Sequence, residues 1–177
     1  MVFEANDLSN NILWSNCHNY FSSFDGTCKC IDDVNDMFDL VYSDDFVYQV
    51  DKNSKFYNKN ELRRVQDNFL RLGSKATILL FNVMEPDTAG QCHQGAPYQP
   101  QEYKVEYKFR MTNDLLDVVI HNVATVRDNK FIKCQPVDQT SFDAVTKVRD
   151  VSDLFDAANS RTTRDSISNI LNACKAE

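Results

Sequence analysis

Hydrophobic and polar positions follow two regimes along the chain. Between residues 8 and 73 the apolar side chains recur at helical spacing; between 75 and 137 they alternate or run together. In LSNNILWSNCHNYFSSF (8–24), Leu13, Cys17, Tyr20 and Phe24 are spaced four, three and four apart, the stripe of an amphipathic helix. Gly26 breaks it, and DGTCKC reads as a turn. DVNDMFDLVY (33–42) forms a second short helix, with Asp32 or Asp33 able to cap its free N–H groups. SDD (43–45) is a polar corner, FVYQV (46–50) a short strand. Asn58 opens a third helix, KNELRRVQDNFLRLG, with Glu61 placed as the reciprocal cap. Leu62, Val65, Phe69 and Leu72 form its stripe and Gly73 ends it.

The second regime is strand. KATILLFNVME (75–85) is apolar at successive positions, the pattern of a strand covered on both faces. EYKVEYKFRM (102–111) alternates: Tyr103, Val105, Tyr107, Phe109 and Met111 face inward, Glu102, Lys104, Glu106, Lys108 and Arg110 outward. LLDVVIHNVATVRDNKFIKCQPV (115–137) is a hairpin turning at RDNK. Leu116, Val118, Ile120, Asn122, Ala124 and Val126 share its core face, and His121 points the other way. Thr140 and Ser141 can cap a helix through FDAVTKV. Two further amphipathic pieces follow, separated by a loose, polar NSRTTRDS. Helices first and strands afterwards mean an α+β fold. The expected architecture is a strongly curved antiparallel sheet wrapped around the N-terminal helices, a cone-shaped roll with a cavity at its mouth. It spans residues 1–138, with a C-terminal helical extension at 139–177.

Composition narrows the class. The 177 residues, 42% hydrophobic and 25% charged, suit one globular domain with a sizeable core. A net charge of −7 repels phosphate backbones, so no nucleic-acid partner is expected. No apolar run reaches the length of a membrane span. The start, MVFEANDLSNN, lacks the basic and apolar regions of a signal peptide, which points to an intracellular, cytoplasmic protein. There the six cysteines would be reduced thiols. The C-x-C of Cys28 and Cys30 does not have zinc-site spacing, so neither metal nor cofactor is expected.

Two stretches carry a family likeness. LVYSDDFVYQVDKNSKFYNKNELRRVQDNFLRL and the later TVRDNKFIKCQPVD together resemble the nuclear-transport-factor-2-like superfamily, over roughly residues 8–138. Its branches include ketosteroid isomerases, SnoaL-type polyketide cyclases, scytalone dehydratase, limonene-epoxide hydrolase, the transport factor and the association domain of calmodulin-dependent kinases. The resemblance implies a cone closed by helices, often dimeric through the outer sheet face. It also implies a cavity for a small, mostly apolar molecule. Proton-transfer chemistry of the isomerase, cyclase or dehydratase kind is one option; a non-enzymatic binding or oligomerisation module is the other.

Candidate residues follow from the likeness and the alternation together. The position of the isomerase branch's base falls on Val50. Asp51 lies one step beyond, and one step along a strand points a side chain to the opposite face unless a bulge intervenes. Asp51 is the candidate base on that condition. Asn122 is the polar member of an apolar strand face and needs a partner or a ligand; as a donor to a developing oxyanion it is a catalytic candidate. Tyr20, on the first helix, is a second donor. Trp14, His18, Tyr48 and Phe109 complete the ligand-binding candidates. The paired histidines that a scytalone-type dehydratase carries on its middle strands are missing from ILLFNVM and YKVEYKFRM. PDTAGQCHQGAPYQP (86–100) is long for a hairpin connection and suits a flexible surface insertion, a lid over the cavity or a contact segment.

Overall fold

The computed structural model describes residues 8, 10–27, 30–53, 55–84 and 102–175, and side chains as far as residue 159. The long connection at 86–100 lies outside the described residues. Four helices and six strands follow in the order α1 (Ile12–Ser22), α2 (Ile31–Val41), β1 (Tyr42–Gln49), β2 (Phe56–Asn58), α3 (Lys59–Arg71), β3 (Lys75–Met84), β4 (Tyr103–Thr112), β5 (Asp117–Arg127), β6 (Lys130–Pro136) and α4 (Gln139–Lys175).

The strands form one sheet in the order β2-β1-β6-β5-β4-β3. Every neighbouring pair is antiparallel except β1 and β6, which run parallel. The helices pack on its inner face. Tyr107, Phe109, Val118, Ile120, Ala124, Val126 and Phe131 of the strands meet Leu13, Tyr20, Phe21, Phe38 and Phe69 of the helices in a single core. The α+β cone expected from the alternation is the fold observed.

Local chemistry explains most boundaries. Asn11 caps α1 by accepting from Trp14 N at 2.9 Å. Asn58 and Glu61 form the reciprocal cap of α3, at 2.8 and 3.3 Å. Gly73 ends α3 at φ +66°, a left-handed conformation that a side chain would strain. The β5–β6 turn places Asp128 and Asn129 at φ 53° and 60°, the left-handed pair that a tight hairpin requires. Leu116, Val118, Ile120, Asn122, Ala124 and Val126 are all buried, as the alternation demands.

Four local expectations are corrected. Helix α2 begins at Ile31, with Cys30 at its cap and no side-chain bond there. Asp32 and Asp33 sit inside the first turn, where their charge favours the positive end of the helix dipole. Ser43, Asp44 and Asp45 belong to β1 rather than to a corner. The register with β6 slips between Tyr42 and Val47, which absorbs them. Strand β3 is covered on one face only, because the helices pack on the inner face of the sheet: Ala76 and Phe81 are buried while Leu79 is 51% exposed. Finally, α4 is continuous across NSRTTRDS. Residues 139–175 contain neither Gly nor Pro, and polarity alone does not break a helix. Its cap is Asp138, which accepts from Ser141 N at 2.9 Å, and Ser141 Oγ accepts from His121 N at 3.0 Å. That second bond fixes the start of α4 to β5. Farther along, Asn68 Nδ2 donates to Ser152 Oγ at 2.8 Å and Arg64 Nε to Asp156 Oδ2 at 2.8 Å, holding α4 along α3. No helix among the described residues is long and apolar enough to cross a membrane.

Candidate functional site: an aromatic cavity under the C-terminal helix

Helices α1, α3 and α4 meet the concave sheet around a cavity of about 80 Å³. Strand β1 contributes Tyr48, and Val50 follows just after it. Strands β4 and β5 give Tyr107, Phe109, Met111 and Ile120. From α1 come Tyr20 and Phe21, from α3 Leu62, Val65, Gln66 and Phe69, and from α4 Val145, Val148 and Arg149. The volume exceeds that of a single water but is small beside the usual few-hundred-Å³ ligand pocket. Phe and Tyr rings have filled most of the cone. Among the described residues that line the cavity there is no carboxylate and no imidazole.

Its phenols are arranged as hydrogen-bond partners of buried amides. Asn122 Nδ2 donates to Tyr48 Oη at 2.8 Å and to Tyr107 Oη at 3.1 Å. Tyr107 Oη lies 3.2 Å from Cys134 Sγ. On the helical side, Tyr20 Oη donates to Gln66 Oε1 at 2.9 Å, and Gln66 Nε2 donates to Asn35 Oδ1 at 2.7 Å. Tyr42 also lines the cavity, its ring 4.7 Å from those of Phe38 and Phe46. Burial pushes the hydroxyls of Tyr20, Tyr42, Tyr48 and Tyr107 well up from their ordinary value. Burial also pushes the Cys134 thiol up to about 12 against the opposing hydrogen bond of Tyr107. These groups stay protonated at neutral pH. They can donate a hydrogen bond but are not placed to accept a substrate proton.

The residues singled out by sequence separate into four places. Tyr20, Tyr48 and Phe109 line the cavity. Asn122 stands behind Tyr48 and Tyr107, with no exposed surface. Asp51 occupies the turn after β1, where Oδ1 accepts from Asn53 N at 2.8 Å and Lys55 N at 3.3 Å; Val50, beside it, is the residue that faces inward. Trp14 and His18 pair with each other, ring centroids 5.4 Å apart, and Trp14 packs on Phe81 of β3 at 5.2 Å, away from the lining. Sequence reasoning passed over Gln66, Tyr107 and Arg149. For Arg149 a signal existed: Val145, Val148, Arg149 and Ser152 lie at positions i, i+3, i+4 and i+7 of one helix face.

Among the described residues no group of three or more His, Cys, Asp or Glu side chains could hold a metal ion. The thiols of Cys17, Cys30 and Cys134 are free.

No protein-family model and no curated protein matches the chain. Solved structures do. A de novo designed protein with a curved β-sheet is 9% identical, with a TM-score of 0.49 over 81% of this chain and 98% of that one. An uncharacterized bacterial protein with a cystatin-like fold, from Silicibacter pomeroyi, is 9% identical, with a TM-score of 0.46 over 88% and 92%. A steroid delta-isomerase from Pseudomonas aeruginosa is 10% identical, with a TM-score of 0.43 over 88% and 98%. At such identities the likeness concerns the fold. Its own strand order and buried inner face make the chain an α+β cone: one curved, mostly antiparallel sheet closed by helices.

Proposed function

We propose that this chain is a small-molecule-binding cone domain that takes a small, mostly apolar ligand into the cavity under α4 and holds it without transforming it. The observation that carries the reading is the lining itself: aromatic and aliphatic walls and neutral phenols, with no carboxylate or imidazole to take a proton among the described residues. The 139–177 segment acts as a helical extension whose first half supplies one wall through Val145 and Val148. The free, buried thiols of Cys17 and Cys134 suit an intracellular setting.

The test is a titration of methyl-labelled protein with toluene and with butan-2-one, followed by NMR. Signals of Met111, Ile120 and Val148 should move together, while that of Leu115, 60% exposed, should not. Unmoved cavity methyls near the solubility limit of both probes would remove the binding reading. In deuterated buffer, butan-2-one should exchange its α-protons no faster with the protein than without it. Faster exchange would restore proton transfer and overturn the non-catalytic part.

One observation favours a second role, homodimerisation through the outer sheet face. Leu79 of β3 and Val119 of β5 are exposed there, at 51% and 40%. Sedimentation at rising concentration should show a dimer that Leu79→Lys with Val119→Lys dissociates. A monomer throughout would discard this role.

A further inference from the structure

We infer that the ligand is a short-chain carboxylate, its apolar tail in the cavity and its carboxylate on Arg149; this rests on the binding reading above. Arg149 is the only charged side chain among the described residues lining the cavity. Its side chain is 25% exposed, so the stem lies against the apolar wall and the guanidinium stands at the rim. Its recorded ion-pair partner is Asp150, at 3.5 Å, too long for a good charge-assisted bond. Neighbours in sequence diverge around a helix, and the Asp150 side chain is 61% exposed, turned toward solvent. Asp153, one turn on, makes no ion pair with Arg149 among the described residues. The planar fork of N–H donors is therefore largely unspent, at the edge of a cavity whose amides and phenols mostly bond one another.

A fork of that geometry matches a carboxylate through two parallel hydrogen bonds. The cavity sets the tail. About 80 Å³ is well below the usual ligand pocket and suits a short chain of a few carbon atoms. The surroundings set the charge. One Arg, with Asp150 and Asp153 close by in a chain of net charge −7, favours a monoanion over a phosphate dianion. A branched acid of about five carbons meets all three conditions.

The experiment compares 3-methylbutanoate with its neutral near-isostere 3-methylbutanamide, and both with inorganic phosphate, on the whole chain by calorimetry and methyl NMR. The acid should bind at least about tenfold more tightly than the amide, as a charge-assisted pair requires. Phosphate should not compete at equal concentration. Arg149→Gln should bring the acid down to the affinity of the amide and leave the amide within twofold. Arg149→Lys, which keeps the charge and loses the fork, should fall between. Equal wild-type affinities for acid and amide, an unchanged acid affinity in Arg149→Gln, or displacement by phosphate would each overturn the inference while the binding reading stood. Binding of neither the acid, the amide nor toluene would sink both. A thermal melt of each variant keeps loss of binding separate from loss of fold.

Discussion

The Asn122 network offers the sharpest test of how this core is held. Asn122→Leu keeps the volume nearly constant and deletes the amide. Tyr48 Oη then loses the partner that bonds it at 2.8 Å, while Tyr107 Oη keeps Cys134 Sγ at 3.2 Å. Leaving one buried hydroxyl unpaired costs about 1–3 kcal/mol, and reducing Tyr107 to its weaker sulfur contact costs about a further 1 kcal/mol. The expected loss is therefore about 2–4 kcal/mol, read from urea unfolding at unchanged m value, or a drop in Tm of roughly 5–12 °C. Tyr48→Phe alone should cost about 1–3 kcal/mol, because the buried Asn122 Oδ1 loses the hydroxyl that donates to it at 3.1 Å while Asn122 Nδ2 still reaches Tyr107. In the double variant the unpaired phenol is gone, so the two losses should fall short of additive by about 1 kcal/mol or more. Strict additivity would mean that Asn122 and Tyr48 are not energetically paired. A loss under about 0.5 kcal/mol for Asn122→Leu would mean that the amide is not the centre of the network.

Three further outcomes follow from single contacts. Asn58→Ala removes the side-chain half of the α3 cap, the bond from Glu61 N to Asn58 Oδ1, and keeps the backbone N–H that donates to Glu61; it should cost about 1 kcal/mol in urea unfolding, and no change would show the helix start held by packing alone. Asp51→Asn should leave toluene-induced shifts of the cavity methyls unaltered, because Asp51 bonds only its own turn; altered shifts would bring that carboxylate back to the site. Burial pushes the Asp39 carboxyl up, but Arg63 Nη2 at 2.6 Å and Lys59 Nζ at 3.0 Å outweigh it and hold the group below its usual range. The unfolded chain then binds the extra proton. The contribution of Asp39 is present above about pH 4 and lost as pH falls through the lowered folded value. Asp39→Asn should flatten part of the acid limb of the stability curve, and an unchanged limb would discount the pairs.

The sheet was readable because burial on one face imposes a period of two, and a one-residue error would expose every core side chain at once. That is why Leu116 to Val126 and Tyr103 to Met111 could be assigned to faces before any coordinates. The caps were readable wherever a side chain must satisfy a backbone group, as at Asn58. What failed was set by tertiary position. KATILLFNVM has the same apolar run whether one face of its sheet is covered or both; only the placing of the helices on the inner face leaves Leu79 in solvent. NSRTTRDS looks like a loop by composition, yet without a Gly or Pro the helix continues through it.

The cavity was legible in kind but not in extent. Alternation along β1 already placed Phe46, Tyr48 and Val50 on one face and Asp51 on the other, and the turn bonds of Asp51 follow the same geometry. The free volume is different: it is what remains after Tyr20, Phe21, Tyr42, Tyr107 and Phe109, from three helix and strand neighbourhoods distant in sequence, have each taken a rotamer. No local pattern encodes that remainder. The same holds for Arg149. Its helix face can be read from Val145 and Val148, but its place at the rim depends on α4 being held to β5 through Ser141 and to α3 through Asn68. The consequence is chemical. The inward position just after β1 is Val50 rather than a carboxylate, and the charged side chain that lines the cavity among the described residues is the cation of Arg149.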